Sequence, residues 1–296
     1  MSAAASPSEL LRIESASADA HRLSRIRAEG AVAITAKRDG AITRIEALAE
    51  SGGYRAKFPT PSGSTLEASI VNTGGGVAGG DTLDIDITVR TRARLAVTTP
   101  SAERIYRSLG EETRINAAFT LEAGADLTWA PQATIVFSGA RLKRSFKVEL
   151  ADTARLLMAE TVVFGRRDSG EVMGFGLFQD RWEISRGGKL IFAEATRLDG
   201  NLGAALARPA VMGPANIRAN IAAIIVCIAP NVGERLDAVR TALQTTSTDA
   251  GASSWNGMLV VRALGDRLDR VQASISAAIS ALDVPRPQTV LSPEHL

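Results

Sequence analysis

The chain has 296 residues, of which 45% are apolar and 22% charged, proportions that allow a sizeable core and exclude wholesale disorder. Lys and Arg number 34 against 32 Asp and Glu, a formal charge of +2, so no basic surplus marks a nucleic-acid binder. A single cysteine, Cys227, rules out an internal disulfide and fits a reducing compartment, and two histidines, His21 and His295, stand near the two ends, which excludes chemistries built on several central histidines.

Residues 1–25 are rich in Ala, Ser and charge and read as a flexible N-terminal tail. They carry no basic stretch followed by an apolar run, so a cytoplasmic location without a targeting signal is expected. From Gly30 the apolar period becomes two. Val32 and Ile34 alternate with small residues, Asp39-Gly40 turns the chain, and Ile42 and Ile45 follow. Tyr54 to Phe58 reads as a short strand stopped by Pro59 and Pro61. Leu83, Ile85, Ile87 and Val89 share one face, with Asp84, Asp86 and Thr88 on the other, as in a half-buried strand.

Further strands are expected around Leu95–Val97, Ile115–Leu121, Leu127–Trp129, Thr134–Ser138, Ser145–Leu150, Leu156–Val163, Phe175–Ile184 and Lys189–Thr196. Turn signals recur about every 8–15 residues. Such spacing predicts a long antiparallel β architecture and not βαβ units. The apolar run 221–229 is about half the roughly 20 residues that a membrane-spanning helix needs and reads as a buried strand. Residues 233–245 and 266–282 have helical spacing, the second with Asp266 as N-cap, and Met258–Val261 is a strand after a polar break at 253–256. One β-rich domain over 26–284 is expected, with an irregular tail over 285–296.

The glycine run Gly74-Gly75-Gly76-Val77-Ala78-Gly79 matches G-x-G-x-x-G. A dinucleotide site also needs a helix opening at the last glycine, facing its N-terminus to the pyrophosphate. Here the chain enters the strand pattern 82–89 instead. A phosphate loop would need Lys and Ser or Thr after Gly79, where Gly80 and Asp81 stand, so nucleotide binding is not expected. Asp84-x-Asp86-x-Thr88 lacks the glycine of a calcium loop and reads as a solvated strand face. No G-x-S-x-G, paired Cys or closely spaced His occurs, which removes acyl-transfer and zinc sites. The cluster Arg141-x-Lys143-Arg144-x-x-Lys147 reads as a solvated strand face or a patch for an acidic partner.

Several segments then resemble, in order, the urease accessory proteins of the UreD (UreH) family. They are 72–81 (NTGGGVAGGD), 98–108 (TTPSAERIYRS), 129–137 (WAPQATIVF), Phe164-Gly165-Arg166 with Gly170-Glu171, and Glu194 through Leu198 to Gly200. The resemblance implies a β-helix-like stack of strands with two helices near the C-terminus. It implies a non-enzymatic maturation factor that binds urease apoprotein, a helical partner of the UreF type and, through it, a UreG-type GTPase. It implies help with nickel insertion, and no role for nucleic acid or membrane. A carboxylate-based hydrolase on a β scaffold and a generic β-rich interaction module are the alternatives.

A protein that hands on a metal should not cage it in thiolates or imidazoles, and hard oxygen ligands hold Ni2+ less firmly. No tightly bound cofactor or stable metal site is therefore expected, only transient Ni2+. Asp81, which closes the glycine loop, Glu160, which interrupts the apolar run 156–163, and Glu194 are the carboxylates singled out for nickel passage. Gly75, Gly76, Gly79 and Gly80 form a structural loop. Residues 221–228 and the helix 266–282 are more apolar than a small stack easily covers, which predicts a docking face bordered by outward Arg270 and Ser274.

Overall fold

The structure, a computed structural model, describes residues 27–60, 63–166, 169–207 and 219–283. Strands β1 (Glu29–Asp39) and β2 (Ile42–Ser51) form a hairpin, and β3 (Tyr54–Lys57) and β4 (Leu66–Asn72) form a second one on a different sheet. From there the chain winds. β5 (Thr82–Val89) lies on the first sheet and β6 (Arg94–Thr98) on the second, followed by the short β7 (Glu103–Ile105). β8 (Thr113–Leu121) returns to the first sheet and β9 (Asp126–Trp129) to the second, with β10 (Thr134–Val136) beside β7. β11 (Arg141–Leu150), β12 (Arg155–Phe164) and β13 (Phe175–Arg186) repeat the alternation, and β14 (Lys189–Asn201) closes the first sheet.

This winding decides the strand directions. Each connection crosses to the opposite sheet instead of returning beside its own strand. Strands one coil apart therefore run the same way. β1, β5, β8, β11 and β13 pair in parallel on one sheet, as do β4, β6, β9 and β12 on the other. The mainly β, β-helix-like stack is as expected. The antiparallel pairing inferred from turn spacing is confined to the flanks, because close turn signals mark a change of sheet as well as a hairpin.

The coils are in register, so like positions form ladders through the core. Val32, Ile85, Ala117, Phe146 and Trp182 make one inward row, and Ile34, Ile87, Phe119, Val148 and Ile184 the next. These rows face the second sheet across one apolar core.

After the short helix α1 (Leu202–Leu206), the second sheet is extended by β15 (Ile221–Ile228), then β16 (Asp249–Trp255) and β17 (Met258–Gly265), all antiparallel. Between β15 and β16 lie a single 3-10 turn, Val232–Arg235, and helix α2 (Leu236–Gln244); α3 (Leu268–Leu282) follows β17. Alternate residues of β15 serve different cores. Val226 and Ile228 face the first sheet, whereas Ile221, Ala223, Ile225 and Cys227 face the helices. Burial on both faces explains the unbroken apolar run. Among the described residues no helix is long and apolar enough to cross a membrane.

Three expectations at this end change. The residues expected to form a free docking face are covered: Val271, Ile275, Ala278, Ile279 and Leu282 of α3 pack with β15, β17 and α2. Ser274 is fully buried, bonded to Thr248 and to the Arg270 carbonyl, whereas Arg270 is exposed. The inward side of a helix closes over a sheet, and Ser274 falls on it. The cap of α3 is Arg267, not Asp266, and the polar stretch 253–256 is the end and turn of an edge-strand hairpin. The tails 1–25 and 285–296 lie outside the described residues.

Ile279 is wholly buried between α3 and the sheet. Ile279→Ala should lower unfolding free energy by about 2–5 kcal/mol, and Arg270→Ala by less than about 0.5 kcal/mol, both read by urea denaturation.

Candidate functional site

The glycine loop carries the chain from β4 on one sheet to β5 on the other. Val77 pairs with Ile105, its N–H donating to the Arg104 carbonyl at 2.8 Å, and the Tyr106 hydroxyl donates to the Gly75 carbonyl at 2.9 Å. Gly76 has φ +146, and a Cβ there would collide with the Tyr106 ring and the Arg104 carbonyl. The glycine serves close packing of loop on strand, not a ligand phosphate. Asp81 locks the same loop. Its Oδ2 accepts from Ala78 N–H at 2.7 Å and its Oδ1 from Ala28 N–H at 2.9 Å.

Beneath the loop, between the two sheets, lies a cavity of about 80 Å³, reached by Gly75, Gly76, Glu103, Arg144 and Glu160. That volume holds several waters. Two polar groups wall it. On one side Glu103 Oε1 accepts from Asn72 Nδ2 at 2.9 Å, and the Tyr54 hydroxyl, itself 2.9 Å from Asn72 Nδ2, is 3.4 Å from Glu103 Oε2. Both partners are neutral. Burial pushes the Glu103 carboxyl above the usual carboxylate range, and burial followed by the Glu103 charge pushes the Tyr54 hydroxyl up. The more distant charge of Asp81 is also felt at Tyr54.

On the other side stands Arg144. In its ladder it follows Leu83 and Ile115, so the pleat points it inward. Its guanidinium holds Asp180 of the neighbouring strand through two bonds, Nε to Oδ1 at 3.0 Å and Nη2 to Oδ2 at 2.6 Å. Across the core, Nη1 donates to Glu160 Oε2 at 2.6 Å and to Thr134 at 3.3 Å. Glu160 Oε1 accepts from Trp129 Nε1 at 2.7 Å, and Asp180 Oδ2 from Trp182 Nε1 at 3.2 Å. Arg144 and Glu160 side chains are each only 3% exposed. Burial raises the Glu160 pKa against the pull of Arg144. Burial would lower that of Arg144, but Asp180 and Glu160 outweigh it and hold the guanidinium charged.

The three carboxylates expected for nickel passage therefore sit in three settings. Glu160 lines the cavity and is paired with Arg144. Asp81 lies outside the lining and bonds backbone. Glu194 is on β14, paired with Arg262 of β17 on the surface. Gly75 and Gly76 line the cavity, while Gly79 and Gly80 pack against Ser108 and Glu111.

Sequence reading missed Glu103, Tyr54, Asn72 and Asp180. It also took Arg144 for a surface charge, although period-two alternation groups it with Leu142, Phe146 and Val148. Its sequence neighbours Arg141 and Lys143 point outward, where Glu112 pairs with both. Among the described residues no three His, Cys, Asp or Glu side chains come together as a metal-ligand group.

A family model described as UreD urease accessory protein matches residues 28–294. Curated relatives named Urease accessory protein UreD are similar over most of their length. That of Rhodopseudomonas palustris (strain BisA53) is 42% identical over 90% of this chain and 91% of its own. That of Xanthobacter autotrophicus is 42% identical over 90% and 91%. That of Bradyrhizobium diazoefficiens is 40% identical over 90% and 95%.

Arg144→Met would strand two buried carboxylates and should lower stability by about 3–5 kcal/mol. Adding Glu160→Gln and Asp180→Asn should recover most of the loss, as read by denaturant midpoints. Equal stability of the single and triple variants would contradict the charge account.

Proposed function

We propose, for a chain that belongs to the UreD family of urease accessory proteins, a non-enzymatic part in urease maturation. In this reading it docks urease apoprotein, a UreF-type helical accessory protein and, through that complex, a UreG-type GTPase in the cytoplasm. It assists the insertion of nickel, which it holds only transiently. The observation that carries the reading is the family match across nearly the whole chain.

The cavity is the place proposed for nickel transit, and the partners of its carboxylates favour one of them. A carboxylate whose charge a guanidinium already answers offers little to a passing cation. Glu160 and Asp180 both give their oxygens to Arg144. Glu103 takes its side-chain hydrogen bonds from two neutral donors and forms no ion pair among the described residues; the Arg104 charge is only a minor influence on it, so it has more charge to offer a cation once deprotonated. Asp81 then serves by fixing the glycine loop that roofs the cavity, and Glu194 by tying β14 to β17. The same pairing argues against a hydrolase. The two acids that the fold does bring together, Glu160 and Asp180, are buried on one arginine. A glycosidase pair must instead flank an open substrate.

Co-expression with the urease proteins tests the reading. The wild-type protein should co-purify with apo-urease and raise its nickel content, and Glu103→Gln should lower activation about tenfold or more while still co-purifying. Full activation by Glu103→Gln would remove Glu103 from the path. Failure of the wild type to co-purify or activate would remove the maturation role.

The pH dependence has a definite sign. The folded chain binds the Glu103 proton more tightly than the unfolded chain. This group's contribution to stability is thus present below the ordinary carboxylate range and is lost as pH rises through its raised value. Wild type minus Glu103→Gln unfolding free energy should fall over that window.

A further inference from the structure

At the end of the coil, outside the cavity, the 106–111 and 171–175 segments border an open groove of about 780 Å³. Its floor is Phe137. Tyr106 meets that ring edge-on at 5.2 Å, and the Arg166 guanidinium lies over it at 4.2 Å. The walls are built firmly. Glu171 accepts from Ser138 N–H at 3.2 Å and from Arg166 N–H at 2.9 Å, and it pairs with the Arg166 side chain at 3.3 Å. Its charge is thereby answered within the groove. Arg107 is different. It is exposed, and among the described residues it has no ion pair, so the groove keeps one uncompensated cation. Phe175, 73% exposed, lines the groove with it, and Leu109 and Val172, 81% and 84% exposed, follow the lining residues Arg107 and Glu171 closely in the chain. Aromatic side chains and a free arginine on a rigid frame are the composition of a binding hot spot. Two of the segments that resemble the UreD family meet here, one through Tyr106-Arg107 and one through Arg166 and Glu171, and the first also carries Glu103 of the cavity.

We propose that this groove docks an acidic segment of a partner protein, with a carboxylate placed on Arg107 and an apolar side chain set against Phe137 and Phe175. The charge sets the choice. A cationic or purely apolar segment would leave Arg107 facing a like charge or desolvated without a partner. The proposal rests on the maturation-scaffold reading and adds a surface to it. Arg107 and Phe175 are free of core contacts, so their replacement should leave the fold intact.

The test uses the full chain with purified apo-urease and, separately, the purified UreF-type protein. Arg107→Glu and Phe175→Ser should each weaken binding to one of them about 30-fold, with unchanged thermal midpoints. Wild-type binding should weaken with salt, and that salt dependence should shrink in Arg107→Ala. Leu190→Ser, at an exposed apolar site on β14, should bind as wild type. If both groove variants bind both proteins as wild type does, while the wild type activates urease, the groove proposal is overturned and the scaffold reading stands. A wild-type dimer dissociated by Arg107→Glu would assign the groove to a second copy and overturn it likewise. A wild type that binds neither protein would overturn both readings.

Discussion

Arg144 is the side chain on which the two halves of the stack depend. It rises from one sheet, grips Asp180 beside it, and reaches across the core to Glu160 and Thr134 on the other sheet. Trp129 and Trp182 donate to the two carboxylates, and their rings continue a row with Phe119 and Phe146 between the sheets. A buried arginine with two acids is not a cheap fastening. Its value is in geometry: a bidentate pair and a cross-core bond fix the spacing and register of two stacked sheets, which apolar contacts alone leave freer to slide. The same bonds set the chemistry of the cavity. They leave Glu160 answered by a guanidinium, whereas Glu103 is hydrogen-bonded by the neutral Asn72 and Tyr54 side chains.

The fold that surrounds this link is a coil flanked by antiparallel additions. Parallel stacking puts residues of equal position above one another, so polar residues at the same inward position of successive coils meet. Leu83 and Ile115 precede Arg144 in its column and Asp180 follows. The antiparallel strands β15 to β17 widen only the second sheet, and α2 and α3 then cover its outer face. That arrangement moves the exposed apolar surface away from the C-terminal helices. The most exposed large apolar side chains are instead Val172, Leu109 and Phe175, outside those helices.

Much of this was legible from alternation alone. The strand cores at 83–89 and 115–121, the two C-terminal helices and the strand-forming exit of the glycine run all follow from local pattern. Strand direction was not legible, because a turn that reverses the chain and one that passes it to a facing sheet use the same residues. Glu160 stood out because it interrupts an apolar run. Arg144 was hidden by charged neighbours on the opposite face, and Glu103 by its place in a short strand of three residues. Tyr54, Asn72 and Glu103 come together only through the pairing of distant coils. Ser274 was misplaced because a small hydroxyl gives no sign in the sequence that it faces the core, where Thr248 and the Arg270 carbonyl meet it.

Glu103 is the carboxylate proposed to meet nickel in the cavity, with Glu160 committed to Arg144. Anomalous diffraction at the nickel edge, from crystals soaked in Ni2+, tests it most directly. The expected result is a peak in the cavity beside the Glu103 carboxylate that vanishes in Glu103→Gln and persists in Glu160→Gln. A peak beside Glu160 or Asp81, or a cavity without nickel while surface sites fill, would contradict it.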